Sequence, residues 1–556
     1  MMKKLSAILL ALVMVFSLTA TAFAATVTVD ESAILEGHSF TAYQVFAGRE
    51  EGGVLSDVTA GSGVNFAAFL ADLQAADDCF TSCVDAEDVA KVLSDNNTDS
   101  ALAKTVAEIA YANKAGDGSA LTAGDNNLAD GYYLIVDTTN PVAAGSAYNK
   151  ALLQVVGNDI TIALKTDAPS VEKKVYENTK YTTNEGYGQG YNDVADYNMG
   201  DAVPFHLIGK IPNMTEYDKY MYVFHDSYSA GLDAPQNVEV YLSADKQLDD
   251  ADVEVTNFFT YAGDTTARTF SLTCIDLKAV VAEKDADAQY VIVAYTAVLN
   301  QNAVVGLPGN PNAVYLEYAN NPNWTVDSWK DGVDNDEDGD IDEEDEKDDQ
   351  PTGKTPVDKV IVFTYKLDTT KIDGATANDA TPTKLAGAEF VLYKVVDGVN
   401  QYAVLDANGK VTDWDAATLD ENDKEVYPTN SKLTSAPETG LFQVTGLDDG
   451  IYYLKETKAP TGFNLLKDDV KVVVSAKTVN NQSWAFDPNE ALIASTEGEY
   501  TVDIKTGTAS ITVENNKGAT LPETGGMGTT ILYVVGGALV LAAVVLLVSK
   551  KRMSEC

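Results

Sequence analysis

The sequence predicts a mainly β protein, a string of β-sandwich domains of which the first carries added helices. Three observations lead there. Short runs of β-type residues recur between clusters of Gly, Asn and Asp, the punctuation of an all-β chain. Aromatic residues, which suit pleated and half-buried surfaces, are plentiful, Tyr above all. Helical spacing is found in the first part, where Leu102, Val106 and Ile109 recur over residues Ser100 to Lys114.

The two ends are processing signals. Lys3 and Lys4 precede an apolar run from Leu5 to Phe16, and Ala22-Phe23-Ala24 supplies the small residues that a signal peptidase requires, so residues 1–24 read as a secretory signal peptide. At the other end Leu521-Pro522-Glu523-Thr524-Gly525 precedes a mostly apolar segment, 531–548, and then Lys550, Lys551 and Arg552. That segment is just long enough to span a bilayer, with the basic tail held on the cytoplasmic side. A plain membrane tail accounts for the apolar run but not for the pentapeptide directly before it. The arrangement of 518–556 resembles the wall-sorting signal of Gram-positive surface proteins. The resemblance implies that Leu521, Pro522, Thr524 and Gly525 form a sortase site, at which a sortase cysteine attacks the Thr524 carbonyl and releases the chain from Gly525 onward. Ala436-Pro437-Glu438-Thr439-Gly440 lacks the leucine and any following apolar tail, and is expected to be an ordinary turn.

Between the ends there is room for three domains of common size. The first is placed at 25–165, with strands over Gly131 to Val136, Ala151 to Val156 and Ile160 to Lys165. The second is placed at 166–328, an acidic insert or linker at 329–356, and the third domain at 357–517. A formal charge of −46 argues against nucleic-acid or anionic-membrane partners and suits a well-solvated exterior surface. Only Cys79, Cys83 and Cys274 survive processing, too few to staple domains of this size, so packing is their expected role and something else must supply rigidity.

Alternation in the third domain points to that something. In Tyr452-Tyr453-Leu454-Lys455-Glu456, Glu456 shares a strand face with Tyr452 and Leu454. Ile361, Phe363, Tyr365, Leu367, Thr369 and Lys371 share another face, and Ile511, Val513 and Asn515 a third, which selects Asn515 over Asn516. A carboxylate or ammonium facing a core is expensive unless it has a partner. Burial disfavours both charged forms, so the pair can pass a proton and become neutral. A neutral Lys371 amine is a nucleophile for the Asn515 side-chain carbonyl, with Glu456 shuttling protons as ammonia leaves. The product is an amide between the first and last strands, made once and without turnover. These residues and the stretch Glu456-Thr457-Lys458-Ala459-Pro460-Thr461-Gly462-Phe463 resemble the collagen-adhesin B-type domain of Gram-positive pilins. The resemblance implies an immunoglobulin-like sandwich.

The second domain repeats the logic. Val171, Lys173 and Val175 share a face, as do Val314, Leu316, Tyr318 and Asn320, selecting Lys173 over Lys174 and Asn320 over Asn321. Tyr222, Phe224 and Asp226 put an acid on an apolar face, with Asp201 a competing acid. The stretch from Pro169 to Val175, with Asn310-Pro311-Asn312 and Tyr318-Ala319-Asn320-Asn321-Pro322, resembles the middle, isopeptide-forming domain of backbone pilins, which implies a Lys173–Asn320 bond.

A pilus shaft also needs a nucleophile that receives the next subunit. Backbone pilins resemble one another at the end of the first domain, where a strand "V-x-V-Y-P" ends in a lysine. Here Ile160-Thr161-Ile162-Ala163-Leu164-Lys165 keeps the apolar alternation and the lysine but replaces Tyr-Pro by Ala163-Leu164. The resemblance therefore implies Lys165 as the linking residue. As a whole it implies a structural subunit of a sortase-assembled pilus, not an enzyme. Its partners would be a pilus sortase, a housekeeping sortase, identical subunits, minor pilins and peptidoglycan. A monomeric wall-anchored adhesin with the same domains is the alternative. His38, His206 and His225 come with no nucleophile–His–acid spacing and are expected to pack or to face solvent.

No cofactor is required. Calcium is the one candidate, in the acidic segment 331–349, which carries thirteen Asp or Glu against one Lys. Asp334, Asp336, Asp338, Asp340, Asp342 and Asp345 fall at ligand positions of a twelve-residue EF-hand-like loop with Gly339 at its sixth place, although Asp345 stands where a longer Glu is usual. The competing expectation is a solvated acidic linker.

Overall fold

The computed structural model describes residues 25–30, 37–51, 54–140, 142–156, 160–162, 167–178, 190–325, 350–474, 476–478, 492–494, 501–503, 506–518 and 539–540. The chain is mainly β, in three successive units. In the first, a sheet is ordered Val54–Ala60, Phe40–Glu51, Gly131–Asp137, Leu152–Val156, and its strand Gly131–Asp137 is buried on both faces. Alternation in its central strand sends Leu134 and Val136 to three helices, Phe66–Ala76, Ala86–Asp95 and Ser100–Ala112, and sends Tyr133 and Ile135 to a small sheet built on Ala25–Val29. The helix expected over 100–114 starts where Asp99 accepts hydrogen bonds from the Ala101 and Leu102 amides, and ends at Ala112 with Asn113 as its cap. The three cysteines are unpaired, and Cys83 and Cys274 lie in the cores.

The middle unit is a two-sheet sandwich. One sheet runs Gly190–Asn192, Val171–Glu177, Ala202–Lys210, Tyr290–Val298, Gln236–Ser243, Val253–Glu254; the other runs Val194–Asp196, Asp358–Phe363, Asn310–Ala319, Tyr222–Tyr228, Thr269–Cys274, Thr260–Asp264. The third unit pairs a sheet Leu441–Leu447, Tyr365–Asp373, Thr508–Asn515, Thr501–Asp503 with a sheet Val411–Ala416, Val399–Leu405, Glu389–Val396, Gly450–Lys458, Val470–Val474.

Strand pairing moves the expected domain boundary. Thr352–Lys354 and Asp358–Phe363 both pair antiparallel with Asn310–Ala319, so they complete the middle sheet, and the third unit opens at Tyr365. The described strands on both sides of the acidic segment, Asn310–Ala319 and Thr352–Lys354, therefore belong to the middle unit. The sequence concealed the break because alternation carries straight across buried Thr364, whose hydroxyl donates to the Leu447 carbonyl at 3.2 Å. The strand before it is shared: Val360 and Val362 pack into the middle core, while Ile361 and Phe363 pack into the third. The turn at Ala436–Gly440 forms as expected, the Gly440 amide donating to the Ala436 carbonyl at 3.0 Å. Gly440 has φ +61, and a Cβ there would sit 2.5 Å from the Lys371 carbonyl oxygen, so glycine lets this turn press onto the lysine strand.

Where the middle and third units meet, carboxyl groups are buried together. Glu177 and Asp196 come from the middle unit, and Asp448 and Asp449 from the third. The Tyr365 hydroxyl donates to Asp196, the Asp448 amide donates to Asn198 Oδ1 at 3.1 Å, and the Asn198 amide nitrogen reaches Asp201 at 2.9 Å. Burial first, and repulsion among these acids second, pushes Asp196 and Asp448 well above the usual carboxylate range. Their contribution to stability is full below about pH 4, the unfolded value, and is lost as pH rises through the raised folded values. The melting temperature of the mature chain should therefore fall between mildly acidic and alkaline pH, and Asp196→Asn/Asp448→Asn should flatten that fall in calorimetry. An unchanged pH profile in the double variant would contradict this account of the joint.

Candidate cross-linking centres

The third unit brings Lys371, Glu456 and Asn515 together. Lys371 and Asn515 stand on adjacent parallel strands, Lys371 opposite Val513 and Asn515 two residues further on, so they are diagonal neighbours on one face. Glu456 faces them from the opposite sheet. Lys371 and Glu456 have side chains fully shielded from solvent, with Nζ 3.9 Å from Glu456 Oε1. Nζ donates to the Val513 carbonyl at 3.1 Å, while Asn515 Nδ2 donates to Glu456 Oε2 at 3.0 Å and to the Asn464 carbonyl at 2.6 Å. Glu456 Oε2 is fixed further by the Leu466 amide at 2.8 Å. Burial lowers Lys371 to about 8, against the opposing pull of Glu456, which brings the neutral, nucleophilic amine within reach near neutral pH. Glu456 Oε1 and Asn515 Oδ1 are buried without a hydrogen-bond partner among the described residues.

The middle unit builds a second centre with a different wiring. Lys173, wholly buried, contacts the carboxylate of buried Asp226 from the opposing sheet, and burial lowers the lysine to about 8 while raising the Asp226 carboxyl. Asp226, and not Asp201, is thus the acid placed at Lys173; Asp201 belongs to the carboxyl group at the joint. The side-chain amide at this centre is Asn312. Its Nδ2 donates to the Tyr295 hydroxyl at 2.8 Å, and the same hydroxyl accepts from Lys173 Nζ at 3.0 Å and donates to Asp226 Oδ2 at 3.1 Å. Asp226 Oδ1 and Asn312 Oδ1 repeat the unpartnered oxygens of the third unit.

Asn320 is not brought to Lys173. It is buried, one residue past the end of Asn310–Ala319, and lies eight residues beyond Asn312, about 26 Å along an extended chain. Its backbone instead binds the first unit, the Tyr148 amide donating to the Asn320 carbonyl at 2.8 Å. Alternation identifies a face and cannot say which end of it meets the lysine. The register supplies that: Asp226 opposes Val314 and Tyr228 opposes Asn312, putting acid and amide side by side. Nothing in the sequence marks Tyr295, because on a strand of alternating apolar residues it reads as packing; it stacks on Phe205 at 5.2 Å.

His38 packs, as the sequence suggests, but it does so within a polar network that the sequence did not show. Buried His38 Nδ1 lies 2.7 Å from Asp137 Oδ2, and its Nε2 lies 3.1 Å from Ser146 Oγ. This is Ser–His–Asp connectivity, yet the Ser146 carbonyl accepts from Tyr318 of the middle unit and its amide donates to Ala143. Asp137 also accepts from the Asn149 amide and side chain, both at 3.0 Å. The network pins the 143–151 loop that joins the first two units, which is a packing role. Lys165, the sortase-site residues Leu521, Pro522, Thr524 and Gly525, and the acidic residues Asp334, Asp336, Asp338, Asp340, Asp342 and Asp345 lie outside the described residues. So do the signal peptide and most of segment 531–548; among the described residues no helix is long and apolar enough to cross a membrane.

The fold and the ends together define a wall-anchored surface protein made of β-sandwiches with polar centres in their cores. Residues 199–322 match the Gram-positive pilin backbone subunit 2, Cna-B-like domain; residues 365–485 match the SpaA prealbumin-like fold domain; residues 513–555 match the LPXTG cell wall anchor motif. The chain is 28% identical over 294 residues to the trypsin-resistant surface T6 protein of Streptococcus pyogenes serotype M6, a match covering 47% of this chain and 48% of that relative, about half its length. The solved T6 backbone pilin of serotype M6 S. pyogenes aligns with a TM-score of 0.50 at 18% identity, over 90% of this chain and 100% of that one, which shows a common fold. The full-length major pilin SpaD from Corynebacterium diphtheriae aligns over 89% of this chain and 97% of its own at 15% identity, with a TM-score of 0.45. The protein is a cell-wall-anchored surface protein that carries a Gram-positive pilin backbone domain.

If both centres react, the mature chain is lighter than its sequence by two ammonia molecules. Asn312→Ala should then restore one ammonia in the intact mass, whereas Asn320→Ala should leave the mass deficit untouched. A deficit that shrinks in Asn320→Ala and not in Asn312→Ala would reverse the assignment.

Proposed function

We propose that the chain is the backbone subunit of a covalent surface pilus, stiffened by amides between Lys371 and Asn515 and between Lys173 and Asn312. The observation that carries the reading is the pair of dry centres, each setting a buried lysine against a buried acid and a side-chain amide. In each, the acid takes a proton from the ammonium, the neutral amine attacks the amide carbon, and ammonia departs. The Lys371–Asn515 amide would join the first and last strands of the third unit, so tension entering by one and leaving by the other bypasses the hydrogen-bond ladder. By the chain-entropy measure used for disulfides, each cross-link would stabilise its unit by about 5 kcal/mol. A protein held under tension along a shaft needs this more than a free-standing one does, which favours the pilus over a monomeric adhesin.

Assembly follows from the sorting signal. A pilus sortase would cleave after Thr524 and pass its carbonyl to Lys165 of an identical subunit, and a housekeeping sortase would join the finished polymer to peptidoglycan, with minor pilins completing it. The matched families describe structural pilin and anchor elements, in keeping with a non-enzymatic role. Immunoblots of boiled cell-wall extracts should show a ladder of high-mass species that collapses to monomer in Lys165→Ala and in Thr524→Ala. A ladder persisting in Lys165→Ala would place the accepting lysine elsewhere, and monomer alone in the native strain would leave the adhesin.

A further inference from the structure

The two centres solve the same problem with different parts. In the third unit Glu456 touches the leaving nitrogen directly, Asn515 Nδ2 donating to its Oε2 at 3.0 Å. In the middle unit the acid is Asp226, one methylene shorter. The partners of its Oδ2 are Lys173 and the Tyr295 hydroxyl, and the partner of Asn312 Nδ2 is that same hydroxyl. Tyr295 therefore stands between acid and leaving group, filling the gap that the shorter side chain leaves. A hydroxyl has one proton and two lone pairs, and all three are engaged here: it donates to Asp226 and accepts from Lys173 and Asn312. The ring is wholly enclosed, stacked on Phe205 at 5.2 Å and set edge-on to Phe270 at 5.3 Å, so the hydroxyl is held in place.

We propose that Tyr295 is a catalytic residue of the middle-unit cross-link, its hydroxyl relaying the proton of Asp226 to the Asn312 nitrogen that leaves as ammonia. This rests on the cross-linking reading above. Lys173 first passes a proton to Asp226 along their direct contact. The neutral amine then attacks Asn312 Cγ, forming the Nζ–C bond while the carbonyl electron pair moves to Oδ1. On collapse that pair returns and the C–Nδ2 bond breaks, its electrons leaving with Nδ2. The Tyr295 proton goes to Nδ2 as Tyr295 takes the proton of Asp226, and the extra proton on Nζ returns to the Asp226 carboxylate. One amide and one ammonia result, with Tyr295 as it began and Asp226 left as the neutral acid, holding a proton that came from Lys173. Burial, with Asp226 alongside, pushes the Tyr295 phenol well above its ordinary value, so it passes a proton on without resting as phenolate.

The mature chain, made in a cell-free system and quenched in denaturant at intervals, reports both bonds by intact mass, and the third-unit bond serves as an internal clock. In Tyr295→Phe the third-unit ammonia should be lost at the wild-type rate and the middle-unit ammonia about 100-fold more slowly, the usual worth of a positioned proton donor. Adding Asp226→Glu to that variant should restore the faster loss, because the longer acid reaches the amide as Glu456 does; a merely structural tyrosine would not be rescued this way. Middle-unit closure at the wild-type rate in Tyr295→Phe overturns the relay. If Tyr295→Phe fails to fold, the double variant decides, and a folded double variant that still lacks the loss also overturns it. A wild-type chain that never loses the middle-unit ammonia would instead remove the cross-linking reading itself.

Discussion

The constraint on which the rest of this protein depends is that two lysines are held where no water can reach them. Lys173 and Lys371 are each fully buried. Moving one ammonium into such a place costs several kcal/mol even after relaxation. The cost is met by an opposing acid from the facing sheet, Asp226 in one case and Glu456 in the other. A buried pair of this kind is seldom a net gain in stability over apolar residues of the same size. Its value lies in what burial does to the lysine, bringing the amine to about 8 in both centres. The inward-facing polar residues are thus the reactive parts, and the apolar sandwich around them is what makes them reactive.

The same economy of parts runs through the joints. The strand Asp358–Phe363 belongs to the middle sheet by its hydrogen bonds and to both cores by its two faces. Between the first and middle units, Asn323 accepts from the Ala151 amide at 2.6 Å and donates to the Asn149 carbonyl at 2.9 Å. Lys150 also donates to the Pro322 carbonyl at 2.9 Å. The turn that follows the strand of Asn312 is therefore also the splint to the neighbouring unit. A tug along the chain meets shared strands and buried hydrogen bonds at each junction, without a free hinge among these described contacts.

Much of this was legible in the sequence because period-two alternation is a strong signal when one face is buried. It gave the β class, placed Lys371, Glu456 and Asn515 inward, chose Lys173 over Lys174, and set Asp226 on an apolar face. It could not give register. By alternation Asn312 and Asn320 fall on one face, and only pairing with Tyr222–Tyr228 tells which of them meets the acid. It could not give the boundary at Thr364, because a strand buried on both faces reads like the start of the next domain. Nor could it distinguish Tyr295 from a packing aromatic, since the ring does pack and only the hydroxyl is chemical. The Ser146–His38–Asp137 chain was hidden for a related reason: His38 lies 99 residues from Asp137 and 108 from Ser146, and meets them only through tertiary structure.

The central claim is covalent, and peptide mapping tests it most directly. The mature chain is digested with trypsin after denaturation and the fragments are sequenced by tandem mass spectrometry. The account expects two branched peptides, one joining the Lys173 segment to that of Asn312 and one joining the Lys371 segment to that of Asn515, with no cleavage after either lysine because each nitrogen has become an amide. Linear peptides ending at Lys173 and Lys371, with Asn312 and Asn515 intact in their own fragments, would contradict it.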